Sequence, residues 1–148
     1  MAQHYAPGDL FAVPIAEGRY GVGQILSVEH DALDSVGCIF FAATVSDKSG
    51  TQGVASPIAV ELVTPDLLRS GRWKTKGNFP VGLPPEAWPY NRYRSSGWVG
   101  AKIRGSAVIE SFLAAFHGLA PWDDFHDPKY LDSFLLPGVE RPANVRFR

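Results

Sequence analysis

From Val36 to Thr44 the chain reads Val-Gly-Cys-Ile-Phe-Phe-Ala-Ala-Thr, without a single charge. The run is far shorter than the about 18 apolar residues that suggest a membrane span. Its aromatic and β-branched content favours a strand. A strand with one solvated face alternates polar and apolar residues, and this one does not. It therefore predicts a central strand covered on both sides.

The flanking segments supply partners. Leu10 to Ile15 places Phe11, Val13 and Ile15 on one face, and Pro14, which cannot donate to a ladder, predicts a free edge nearby. Ala16-Glu17-Gly18-Arg19 has hairpin length, and Tyr20 to Val28 follows as a second strand. Gly21 and Gly23 lie two apart, hence on one face, where they leave room for a bend or for a side chain from another strand. His30 to Ser35 and Ser46 to Ser56 read as polar loops, and Ile58 to Val63, Trp73 to Lys76 and Trp98 to Ile103 as further strands. At the C-terminus, inward Val145 and Phe147 alternate with outward polar residues, which predicts a last strand closing the sheet.

Helices are few. Thr64-Pro65-Asp66 carries a cap, a first-turn proline and a favourable acid, and predicts a short helix ending near Gly71. Ser106 to about His117 has a broad apolar face of Val108, Phe112, Ala115 and Phe116, with Ile109 and Leu113 beside them. Gly118 stops it, and Asp127-Pro128 starts a further helical turn. Pro80 to Pro89 holds four prolines and predicts an extended surface segment. The expectation is one domain over residues 1–148, α+β and mostly β. Its antiparallel sheet is expected to be strongly curled or barrel-like, with one main helix and short helical turns.

A chain of 148 residues with 45% hydrophobic and 20% charged residues is globular in composition. Its one cysteine, Cys38, lies in the apolar strand, which suits a reducing compartment and predicts an inert thiol. Met1 to Tyr5 has neither a basic region nor an apolar stretch, so no signal peptide and a cytoplasmic location are expected. The net charge of −1 hides a division: −6 over residues 1–68, +7 over residues 69–104, and −2 over residues 105–148. Such blocks either steer a partner or fold against each other and pair.

Catalytic patterns are scarce. Gly18-Arg19-Tyr20-Gly21-Val22-Gly23 lacks the third glycine and the following helix of a dinucleotide loop, and reads as a hairpin. There is no Gly-x-Ser-x-Gly elbow. His126 with Asp123, Asp124 and Asp127 is the one local set that resembles a metal or acid/base site. A solvated surface with Asp127 capping a turn is the favoured reading of the set. The basic block is interleaved with aromatics. Trp73 and Trp98 are expected in the core, whereas Trp88, Tyr90 and Tyr93, with Arg94, form the better surface candidates. Arginines and aromatics together also suit single-stranded nucleic acid, a less favoured alternative.

The opening Gly8-Asp9-Leu10-Phe11-Ala12-Val13-Pro14 with Gly18 to Leu26 resembles the start of the bacterial immunity protein 26 family. Gly118-Leu119-Ala120-Pro121-Trp122-Asp123, Asp127 to Asp132 and Leu135 to Val139 resemble its close, and Arg69 to Trp73 is similar too. The resemblance implies a protein that binds and neutralises a cognate polymorphic toxin, often a nuclease, with no cofactor and no chemistry of its own. Trp88, Tyr90, Tyr93 and Arg94 are the expected contacts, with Asp123 and Asp124 as acidic alternatives. The family is also associated with a phosphotriesterase label, which implies metal-assisted hydrolysis; only His126 and its three aspartates offer support for that alternative.

Overall fold

The computed structural model describes residues 2–46 and 56–148. Apart from its end residues Ser46 and Ser56, the expected polar loop between the third and fourth strands lies outside them. Six strands form one sheet: β1 (Asp9–Ala16), β2 (Arg19–Glu29), β3 (Ser35–Val45), β4 (Pro57–Val63), β5 (Lys74–Asn78) and β6 (Ile103–Arg104). Their order is β5-β1-β2-β3-β4-β6. The first four pair as successive antiparallel neighbours, β5 pairs antiparallel with β1, and β6 lies parallel to β4.

The apolar run lies in β3, between β2 and β4; from Val36 to Phe40 both its faces are buried, whereas Ala42 is exposed. Successive strand residues point to opposite faces. Val36, Cys38 and Phe40 join a core with helix α2 (Ser106–Phe116), Trp73, Trp122, Leu131 and Phe134. Ile39, in the other phase, joins Leu26, Val60, Leu62 and Tyr90 in a second cluster. The cover of that second face is the proline-rich segment 79–101, which crosses the sheet as a strap. Gln24, 4% exposed, fastens the strap's start by donating to the carbonyls of Gly8 (3.2 Å) and Phe79 (3.1 Å).

These two covers explain why the expected barrel does not form. The sheet is open and mixed, because a helical layer and an irregular strap bury its faces and it has no need to close on itself. The C-terminal tail does not close it either. It makes an isolated parallel bridge between Pro121 and Arg146, Trp122 N–H donating to the Arg146 carbonyl at 2.8 Å. Val145 packs on the core, but Phe147 is 55% exposed beneath the Arg141 guanidinium. The expected strand from Trp98 to Ile103 shrinks to Ile103–Arg104, since Trp98 sits in a turn at φ +70°.

One glycine of the hairpin is set by close approach. Gly23 stands opposite Phe11 in the β1–β2 register, and a Cβ on it would run into the Phe11 ring. Freed of that obstacle, Phe11 stacks on Trp73 at 5.4 Å with the rings 5° from parallel. Trp73 is fully buried, and its indole N–H donates to Glu110 on α2 at 3.0 Å.

Helix α1 (Asp66–Ser70) begins where expected, but Thr64 does not cap it. The Thr64 hydroxyl oxygen instead accepts the N–H of Ser106 at 3.0 Å, while the Ser106 hydroxyl donates to Asp66 at 2.7 Å. The starts of α1 and α2 are thus tied together. At the β5 edge, the Gln3 amide donates to the carbonyls of Leu68 and Trp73, both at 2.8 Å, and its oxygen accepts the N–H of Thr75 at 3.1 Å.

Candidate protein-binding face

The strap disposes of the aromatic candidates differently from the sequence expectation. Tyr90 is 5% exposed and points into the sheet, where its hydroxyl and that of Ser27 share a 2.6 Å hydrogen bond. It stands over Gly37, where a Cβ would collide with the phenol oxygen. Tyr90 is therefore a peg and not a partner contact: its ring is buried with Leu26, Ile39, Val60 and Leu62 and anchors the strap to the sheet. Burial pushes its phenol well above the usual range. Trp88 is half-buried against Tyr90 at 5.8 Å and donates its indole N–H to the Leu83 carbonyl at 2.9 Å. Tyr93 is half-buried and lies under Arg92, 4.8 Å from guanidinium carbon to ring centre.

Arg94 reaches back to the tip of the β2–β3 hairpin. Its two terminal nitrogens donate to the two oxygens of Glu29 at 2.7 and 2.6 Å, and its Nε donates to Asn91 at 2.8 Å. The guanidinium also stacks over Trp98 at 4.9 Å. Glu29 is 6% exposed. Burial alone would raise its carboxyl, but the Arg94 fork, with help from Ser27, holds it below the usual range. Arg104 pairs likewise with Glu61 at 3.3 Å. The basic middle thus folds in part against the acidic N-terminal block.

Around the Glu29–Arg94 pair lies an open cleft of about 590 Å³, lined by His30, Asp31, Gly97 and Trp98 among others. The two loops that line it also carry residues that the sequence pattern did not single out. Leu33, at the hairpin tip, is 83% exposed, and Val99, next to Trp98, is 76% exposed. All three non-glycine residues with left-handed φ among the described residues belong to these two loops: Leu33 at +59°, Asp34 at +58° and Trp98 at +70°. Such conformations cost on the order of 1–3 kcal/mol each and persist where surroundings enforce them. Here the enforcement is visible. Ser35 N–H donates to the Ala32 carbonyl at 3.0 Å, and His30 and Asp34 are joined at 2.9 Å. The sequence signal was a large apolar residue, Leu33, beside the small Ala32 in a turn otherwise made of His30, Asp31 and Asp34.

The acidic candidates lie elsewhere and do not converge. Asp123 accepts the N–H of Arg148 at 2.7 Å, and Asp124 lies 3.5 Å from the Arg148 guanidinium. Asp127 accepts the Lys129 N–H at 2.9 Å, bracing the turn it was expected to cap, and His126 is exposed. Among the described residues no three His, Cys, Asp or Glu side chains are placed to hold one metal ion. The donor set for metal-assisted hydrolysis is not assembled there.

Family models, curated proteins and solved structures give no significant match to this chain.

Proposed function

We propose that this chain is a binding protein that neutralises a toxin by covering its surface, and that the face around the Glu29–Arg94 cleft makes the contact. The observation that carries this reading is the pairing of exposure with rigidity. Two apolar side chains stand in water on loops held in unfavourable backbone conformations, beside a cleft braced by a forked ion pair. Pre-ordered loops lose little freedom on binding, which favours tight association. Arg94, with aromatic neighbours, keeps its proposed place on that face, while Trp88 and Tyr90 support it from behind.

In this reading the protein acts in the cytoplasm of the cell that makes the toxin, as an inhibitor and not an enzyme. Among the described residues no helix is long and apolar enough to cross a membrane. A complex of standard size would bury roughly 1,600 Å² in total. The test is co-expression with the toxin encoded beside it, followed by titration calorimetry with an inactivated toxin. Growth rescue and a stoichiometric complex are expected. A toxin that neither binds nor is silenced would end the proposal.

A further inference from the structure

We infer that Leu33 is the anchor of this face, and that it enters an apolar pocket with a cationic rim on the partner protein. This rests on the binding reading above and specifies the chemistry of the partner.

Leu33 is the most exposed large apolar residue among those described, at 83%. It occupies the apex of the hairpin at φ +59°, a conformation that glycine or asparagine would adopt with less strain. A turn selected for stability alone would not carry leucine there. What leucine adds at that position is an apolar side chain projecting from a rigid tip, the shape that fills a pocket.

The charges beside it define the rim. Asp31 has no hydrogen-bond or ion-pair partner among the described residues, and Asp34 is engaged only by His30. Arg94, the cation that lines the same cleft, is committed to Glu29 and Asn91. The hairpin tip therefore presents net negative charge on both sides of Leu33. A pocket lined with arginine or lysine complements it; an acidic one would repel it. Such a pocket is also what a protein needs to hold a polyanion, so the tip would compete with an anionic substrate for the same place.

The experiment titrates the inactivated toxin with the full chain and three variants. Leu33→Gly keeps the left-handed backbone and removes the side chain. The double variant Asp31→Asn, Asp34→Asn keeps shape and removes charge. Phe147→Ser removes an exposed apolar group far along the chain. Expected are a loss of at least about 30-fold for Leu33→Gly, and for the double variant slower association with a flattened salt dependence. Phe147→Ser should bind unchanged. Leu33→Gly should also melt no lower than the parent, which separates lost contact from lost fold. If the parent binds and Leu33→Gly binds equally well, this inference fails and the broader reading stands. If the parent does not bind, both fail. A dimer of the chain alone that Leu33→Gly dissolves would assign the tip to a second copy and overturn the cationic partner.

Discussion

The phenol oxygen of Tyr90 occupies the space above Gly37 that any other residue at that position would fill with its own side chain. Strap and sheet are therefore fitted to each other at one point, with the Ser27 hydroxyl holding the peg at 2.6 Å. Gly37→Ala is expected to destabilise the fold by about 1–3 kcal/mol through overpacking. Tyr90→Phe should cost about 1 kcal/mol for the lost hydrogen bond. The hydroxyl is the nearest obstacle, but the ring carbon that bears it and the Ser27 hydroxyl crowd the added methyl as well, so the double variant should recover only part of the Gly37→Ala loss. Urea denaturation of all four proteins gives the coupling.

Arg94→Ala strands the Glu29 carboxylate, which is 6% exposed. Breaking a fully buried pair costs about 3–5 kcal/mol. Arg94 is half in water, so a loss of about 1–2 kcal/mol is expected, softened by solvent. The folded-state pKa of Glu29 lies below its ordinary 4.5, so the stability it contributes is present above that pH and is lost on acidification. The gap between parent and variant should accordingly narrow as pH falls below 4.5, as melting curves across an acid series would show. A gap that widens in acid would contradict the assigned direction.

Two partly buried groups bias stability in opposite pH directions. Burial raises Glu61 to about 7 despite Arg104, so its favourable state exists below pH 4.5 and is lost as pH rises through 7. Burial lowers His117 to about 4, with Arg19 adding to the effect, so its contribution is present above pH 6.5 and is lost on the way down to 4. Glu61→Gln should gain on the parent between pH 5 and 8, by on the order of 2–3 kcal/mol. His117→Phe should gain between pH 6.5 and 4, where its unpartnered ring nitrogen no longer has to stay uncharged. Denaturation at three pH values separates the two.

Cys38 is fully buried, and burial drives its thiol far above the usual range. It should resist a thiol reagent in the native protein and react only as fast as the molecule opens. The measured rate, followed against denaturant, would report the opening of β3. Prompt labelling in water would place Cys38 outside the core.

What the sequence could tell followed from how local each cause is. The hairpin of β1 and β2 and the face shared by Gly21 and Gly23 rest on spacing along one strand, and so were legible; so were the covered run at Cys38 and the helix from Ser106. The barrel was an extrapolation from strand count, and strand count does not say what buries the second face. Thr64 had the right residue type for a cap, but its oxygen serves a residue 42 positions away. Tyr90 and Trp88 looked like surface residues because prolines and arginines surround them, and proline-rich chain can also be a covering layer. Leu33 gives no signal in the sequence because two adjacent apolar residues in a short turn, Ala32 buried and Leu33 exposed, have no periodicity to tell them apart. Its meaning comes from a backbone angle and from a neighbouring loop that arrives from the strap.

The Gln3 side chain acquires a further sense at the end of the sheet. An amide group has the same donor and acceptor as one peptide unit, and Gln3 spends its own on the Trp73 carbonyl, just before β5, and the Thr75 N–H within it. At the opposite border, β6 is two residues long. A side chain thus imitates the next strand over the first residues of β5, the kind of device that blunts a sheet edge against pairing with another copy.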